Sequence, residues 1–75
     1  MDAVADPERH VIGAQRLKRV MAAIDAMPPK RREVFLLHRV DDLTYAQIAR
    51  RLDVSIKTVE KHFALAMRQL SDTDD

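Results

Sequence analysis

No cysteine occurs in this 75-residue chain, so disulfides and thiolate metal sites are excluded. A single glycine, Gly13, leaves no phosphate-cradling loop, which needs several. Only Phe35, Tyr45 and Phe63 are aromatic and only three prolines are present, a composition that favours helices over sheet. No apolar run approaches the length of a membrane span or a signal-peptide core. A cytoplasmic protein without membrane insertion is therefore expected. A chain this short forms one domain over residues 1–75 and buries roughly 60% of its unfolded surface. That is enough for a small helical core and too little for a deep enzyme cleft.

What the chain does have is segregated charge. The net value of +1 hides acids gathered at the two ends: Asp2, Asp6 and Glu8, then Asp72, Asp74 and Asp75. Residues 9–71 hold all 13 Lys and Arg against six acids, a net +7. A folded centre of that sign suits a polyanionic partner.

Four helices are expected, at about 7–27, 29–40, 45–52 and 56–70. Asp6-Pro7-Glu8 opens the first with a capping side chain, a proline at the first helical position and an acid at the positive end of the dipole. Ala14, Leu17, Val20, Met21 and Ile24 recur along it at helical spacing, with Val11 and Ile12 off that stripe. Pro28-Pro29 ends it. In the second helix Val34, Phe35, Leu36, Leu37 and Val40 point almost all round, so it needs neighbours on several sides. Thr44 caps the third helix, whose stripe is Tyr45, Ile48, Ala49 and Leu52. Ser55 caps the fourth, with Ile56, Val59, Phe63, Ala66, Met67 and Leu70 inward. The tail from Ser71 to Asp75 is polar and expected to fray.

The last two helices are separated only by a tight turn around Asp53, which makes residues 44–70 a helix-turn-helix. Ala49 is small enough to let the fourth helix cross close over the third. With about 100° per residue, the side opposite Val59 carries Lys57, Thr58, Lys61, Ala64, Leu65 and Arg68. Such a face offers cations for phosphates or guanine edges, a hydroxyl, and aliphatic groups for a thymine methyl. The N-terminal part of the second helix of such motifs enters the major groove. Arg68, a turn further on, is placed to reach the backbone.

Residues 27–70 resemble region four of the extracytoplasmic-function (ECF) sigma factors of bacteria, of the ferric-citrate regulator type. The resemblance rests on Pro28-Pro29 followed by Arg32-Glu33-Val34-Phe35-Leu36-Leu37, on Leu43-Thr44-Tyr45-Ala46-Gln47-Ile48-Ala49, and on Val54-Ser55-Ile56-Lys57-Thr58-Val59-Glu60-Lys61-His62. It implies a specificity subunit of RNA polymerase that directs transcription initiation by reading the upstream (−35) promoter element. Lys61, Ala64 and Leu65 would face bases, with Arg50, Lys57 and Thr58 near phosphates. It also implies docking of the first two helices on the β flap of the polymerase core, or on an anti-sigma factor, with Val11, Ile12 and Phe35 as apolar anchors. Without those partners the chain is expected to self-associate weakly. The turn usually has glycine where this chain has Asp53, a residue that tolerates a left-handed backbone. The family's region two, which melts the downstream element, has no counterpart in these residues. The expectation is therefore a fragment or isolated domain that cannot initiate transcription alone.

Two other readings stand beside this one. A LuxR-type regulator output domain shares the Lys57-Thr58-Val59 and His62 pattern, but reads Leu-Thr-x-Arg-Glu where this chain has Met27 to Glu33. A protein-interaction module without a DNA role would use Val11, Ile12 and Phe35, and leaves the cationic face unexplained. An enzyme is not expected. Ser55 and His62 lie seven residues apart on one helix, roughly 10 Å, too far for a nucleophile and its base. His10, His38 and His62 lack the spacing of metal ligands and are expected at the surface or near caps. No catalytic residue, metal or cofactor is implied.

Overall fold

The computed structural model describes the backbone of residues 7–73 and the side chains of residues 13–72. Four helices follow one another: α1, Pro7–Ala26; α2, Pro29–Arg39; α3, Tyr45–Leu52; and α4, Ile56–Thr73. The described residues contain no strand, so the domain is all-α and closes with the helix-turn-helix. Ser71 and Asp72, expected in a frayed tail, continue α4 as helix. No helix among the described residues is long and apolar enough to cross a membrane.

Local chemistry sets each boundary. Pro28 stands at the N-cap of α2 and Pro29 at its first position. A missing N–H costs nothing there and the fixed φ already suits a helix. At the other end of α2 the Val40 and Asp41 N–H groups both donate to the Leu36 carbonyl, and Leu43 N–H donates to Leu37. Asp42 takes φ 59°, a left-handed step that reverses the chain toward α3. The His38 Nδ1–H donates to the Leu43 carbonyl at 2.8 Å and holds this connector against α2. Thr44 and Gln47 then form a reciprocal capping box. Gln47 N–H donates to Thr44 Oγ1, and Thr44 N–H donates to Gln47 Oε1, which satisfies two otherwise orphaned groups.

The turn between α3 and α4 depends on one residue. Asp53 adopts φ 58°, ψ 50°, the left-handed conformation that a short polar side chain tolerates. Val54 N–H can then donate back to the Ala49 carbonyl at 3.0 Å, as in a Schellman closure. Ser55 starts α4 by accepting from Thr58 N–H at 3.0 Å.

The helices enclose two small apolar clusters. Val34, Ile48, Ala49 and Val59 form the first, between α2, α3 and α4, with Leu37, Leu43, Tyr45, Leu52 and Val54 packed around them. Met27, Phe35 and Ala66 form the second, with Ile24, Met67 and Leu70 around them. Phe63 packs against both clusters. Its ring lies 6.0 Å from that of Phe35, 4.7 Å edge-on from His38 and 5.8 Å from Tyr45. Arg39 covers the ring from outside at 5.7 Å, a cation–π contact at the rim of the core. His38 thus lies near the C-cap of α2, one of the two places expected for it, and is a half-buried partner of aromatic rings there. The side chain of His10 lies outside the described residues.

Three sequence expectations need correction. Phe35 is only 8% exposed, because Met27 and Ala66 close over it, so it cannot anchor a partner. The stripe of α1 is mostly unburied: Ala14 faces solvent, and Leu17 and Met21 are 59% and 57% exposed. Only the C-terminal part of α1 meets the body of the domain: Val20 is half-buried beside Met67 and Leu70, and Ile24, with Met27 just past the helix, joins the second cluster. Ile56, expected inward, is 46% exposed, since α4 begins beyond the edge of the first cluster. The expected cap Asp6 and the apolar pair Val11 and Ile12 lie outside the residues whose side chains are described.

The cap that begins α4 is open to a direct check. Ser55→Ala removes the acceptor for Thr58 N–H and should lower unfolding free energy by about 0.5–2 kcal/mol, read as a lower urea midpoint. An unchanged midpoint would mean that the hydroxyl contributes nothing to starting the helix.

Candidate nucleic-acid interface

Helix α4 is the shared element of the fold, with α1, α2 and α3 all packed against it. Val59 and Ala66 are fully buried along its inner side. Those contacts settle which side of the helix remains open. Ile56, Lys57, Glu60, Lys61, Ala64 and Arg68 are exposed, whereas Thr58, His62, Leu65 and Gln69 are half-buried. At about 100° per residue, the exposed set forms one continuous arc and the half-buried set one flank.

The flank is covered from the side of α2 and the end of α1. Gln69 donates through Nε2 to the Ala23 carbonyl at 3.1 Å and accepts from Arg31 Nη1 at 2.9 Å. One amide thus ties α1, α2 and α4 together. Arg31 is committed to this bracket, and its Nε is buried without a partner among the described atoms. Of the Lys30-Arg31-Arg32 run Lys30 is exposed, and Arg31 and Arg32 are half-buried.

Of the residues expected near bases, Lys61 and Ala64 lie on the open arc, and Leu65 lies on the half-buried flank. A wheel centred on Val59 treats both sides of that residue alike, but the bracket covers one side and leaves the other bare. Of those expected near phosphates, Arg50, Lys57 and Arg68 are exposed. Thr58 is half-buried, and its hydroxyl pairs with that of Ser55 at 2.9 Å, so it serves the helix start. Arg50 sits in the last turn of α3 next to Arg51, which is exposed as well, where cations also suit the negative end of the dipole. Sequence reasoning passed over Ile56 and Glu60 on the arc, and Gln69 and Arg39 behind it. Their roles depend on which helix covers which flank, and residue spacing does not carry that information.

His62 lies where the flank meets the cations. Burial holds its pKa below the ordinary 6.5, and Arg31, Lys61 and Lys30 push it further down. Its Nδ1 is buried without a partner among the described atoms. The described residues contain no cluster of His, Cys, Asp or Glu able to hold a metal ion.

Against known proteins, residues 17–70 match the family described as sigma-70, region 4. The chain belongs to that family. It is also similar to the ferric citrate uptake sigma factor FecI of Escherichia coli (strain K12), 39% identical over 61 residues. That alignment takes in 81% of this chain and 35% of the relative, so the chain spans about a third of the relative's length. No solved structure matches at a significant level.

A proton that must be shed to fold leaves a signature in pH. The native His62 binds a proton less readily than the unfolded one, so its neutral form supports folding above pH 6.5 and that support is lost as pH falls below it. Between about pH 7.5 and about pH 5.5 the urea midpoint should fall, and His62→Gln should reduce the fall. An equal fall in the variant would assign the titration to another group.

Proposed function

We propose that this domain binds promoter DNA as region four of an ECF sigma factor, with α4 in the major groove at the upstream (−35) element. The observation that carries this reading is the open arc of α4. Three cations, Lys57, Lys61 and Arg68, face solvent there directly after a capped turn, while the opposite side of the helix packs on the core through Val59 and Ala66. A solvated charged face alone needs neither the left-handed turn nor a short preceding helix to aim it. Membership of the sigma-70 region 4 family points the same way. Catalysis has no part in this role, and promoter binding puts the protein in the cytoplasm.

The contacts divide by position along the arc. Lys61, in the second turn of α4, can donate to guanine O6 or N7, and Ala64 leaves room for a base edge or a methyl group. Leu65 reaches the groove only from its margin, as an apolar contact. Arg50, Lys57 and Arg68 supply phosphate contacts, with Thr58 behind them at the helix start. Such contacts fix register without reading sequence.

The same family membership supports RNA polymerase as the protein partner, and its β flap as the docking element, with an anti-sigma factor as a competitor. With Phe35 buried, the apolar groups open to such a partner are Leu17 and Met21 on α1, and Leu36 on α2 with Val40 at its C-cap. Each pair is spaced i, i+4 along its helix. Patches of this kind mark interfaces, and they would also support weak self-association of the free domain.

Two substitutions test the assignment of roles. Lys61→Ala should cost about 1–3 kcal/mol on the preferred duplex and relax discrimination at one or two positions, while Arg68→Ala should weaken all duplexes about equally. Fluorescence anisotropy on a matched and a scrambled duplex at one salt concentration reads both. Equal losses for Lys61→Ala on the two duplexes would make Lys61 a phosphate contact and remove it from the reading face.

A further inference from the structure

An acidic side chain stands in the middle of the surface that meets the polyanion. Glu60 is exposed on the open arc, flanked by Lys57 and Lys61, and it is the one acid on α4 before Asp72. No contact within the domain engages it. It lies beyond the first turn of α4, which contains no acid, and so gains little from the helix dipole. The residues four before and four after it are Ile56 and Ala64, which cannot pair with it, and Lys57, at the i, i+3 spacing where an ion pair could steady the helix, does not close on it. No ion pair of Glu60 is found among the described residues. A carboxylate so placed repels phosphates, and it is favourable against DNA only where it meets a hydrogen-bond donor.

We propose that Glu60 is a specificity-determining residue whose carboxylate accepts a hydrogen bond from the N4 amino group of a cytosine in the major groove. The inference rests on the reading of α4 as the DNA-binding helix and adds one residue and one base to it. The major groove offers two amino donors, cytosine N4 and adenine N6, but the N7 acceptor beside adenine N6 repels a carboxylate, so cytosine is the natural partner of Glu and Asp. The geometry favours Glu60 because the bracket through Gln69 covers the Leu65 flank and leaves Ile56, Glu60 and Ala64 as the open line of the helix. Ala64 is small enough to let the backbone approach. Ile56, 46% exposed one turn before Glu60, suits a thymine methyl. Residues four apart are separated by about 6 Å along a helix, close to two base steps of about 3.4 Å. The preferred site therefore places a thymine about two steps from the cytosine.

The test is a binding selection from a duplex library with a randomised core, run at one salt concentration on the full chain and on Glu60→Ala and Glu60→Gln. The parent should enrich cytosine at one position, with thymine about two steps away. Glu60→Ala should lose the cytosine preference alone and bind the selected duplex on the order of tenfold more weakly. Glu60→Gln should shift that position toward adenine, whose N6 and N7 match a carboxamide. If Glu60→Ala tightens binding to every duplex and keeps the cytosine preference, Glu60 is a solvated surface acid and the proposal is overturned. If the parent enriches no sequence at all, α4 does not read bases, and the wider reading falls together with Glu60.

Discussion

Everything in this domain is referred to one line of side chains, the inner side of α4. Val59 and Ala66 are fully buried, and Phe63 joins the two apolar clusters that hold α2, α3 and the end of α1. A helix gripped from three directions cannot rotate about its axis without opening both clusters. The direction of its outer side is then set by packing and not by any property of the outer residues. The short helix α3 finds its purpose here: with Ile48 and Ala49 buried beneath α4, it acts as a platform that fixes the crossing. Asp53 supplies the left-handed step that brings the two helices together within three residues.

Charge follows the same division. The cations of α4 stand on the open arc, and those of the α2 start turn partly inward to the Gln69 bracket. His62 is caught between them, and both its burial and its cationic neighbours favour the neutral ring. One cluster of positive charge thus faces outward as a polyanion would require, and its inner edge is stabilised by hydrogen bonding and a neutral imidazole. The Gln69 amide also gives α1 its polar attachment to the body of the domain, through the Ala23 carbonyl. The Leu17 and Met21 side chains beyond that point remain open.

What was legible in the sequence was the chemistry of neighbours along the chain. Thr44 and Ser55 are N-caps because their hydroxyls serve backbone groups three residues on, and Asp53 is left-handed because few other residues can be. Ile48, Val59 and Ala66 follow from spacing along a single helix. What was not legible depends on contacts between helices. Phe35 looks like a surface anchor until Met27 and Ala66 are seen to close over it. The α1 stripe looks like a core-facing stripe until only its last two turns, from Val20 on, are found to pack. Leu65 and Glu60 lie at similar angles on either side of the outward direction, and only the Arg31–Gln69–Ala23 bracket separates the covered one from the open one. Side-chain pattern indicates that a helix has an outside, and neighbouring elements decide where its edges fall.

The central claim is that the outer arc of α4, oriented by its buried inner line, is the surface that meets DNA. Titrating the isotope-labelled chain with a duplex carrying its preferred site, and following backbone amide shifts by NMR, tests this most directly. The largest changes should fall on Ile56, Lys57, Glu60, Lys61 and Ala64, with smaller ones at Arg50, while the buried line and α1 stay still. Changes concentrated on α1 and α2, with the α4 arc unmoved, would contradict the account.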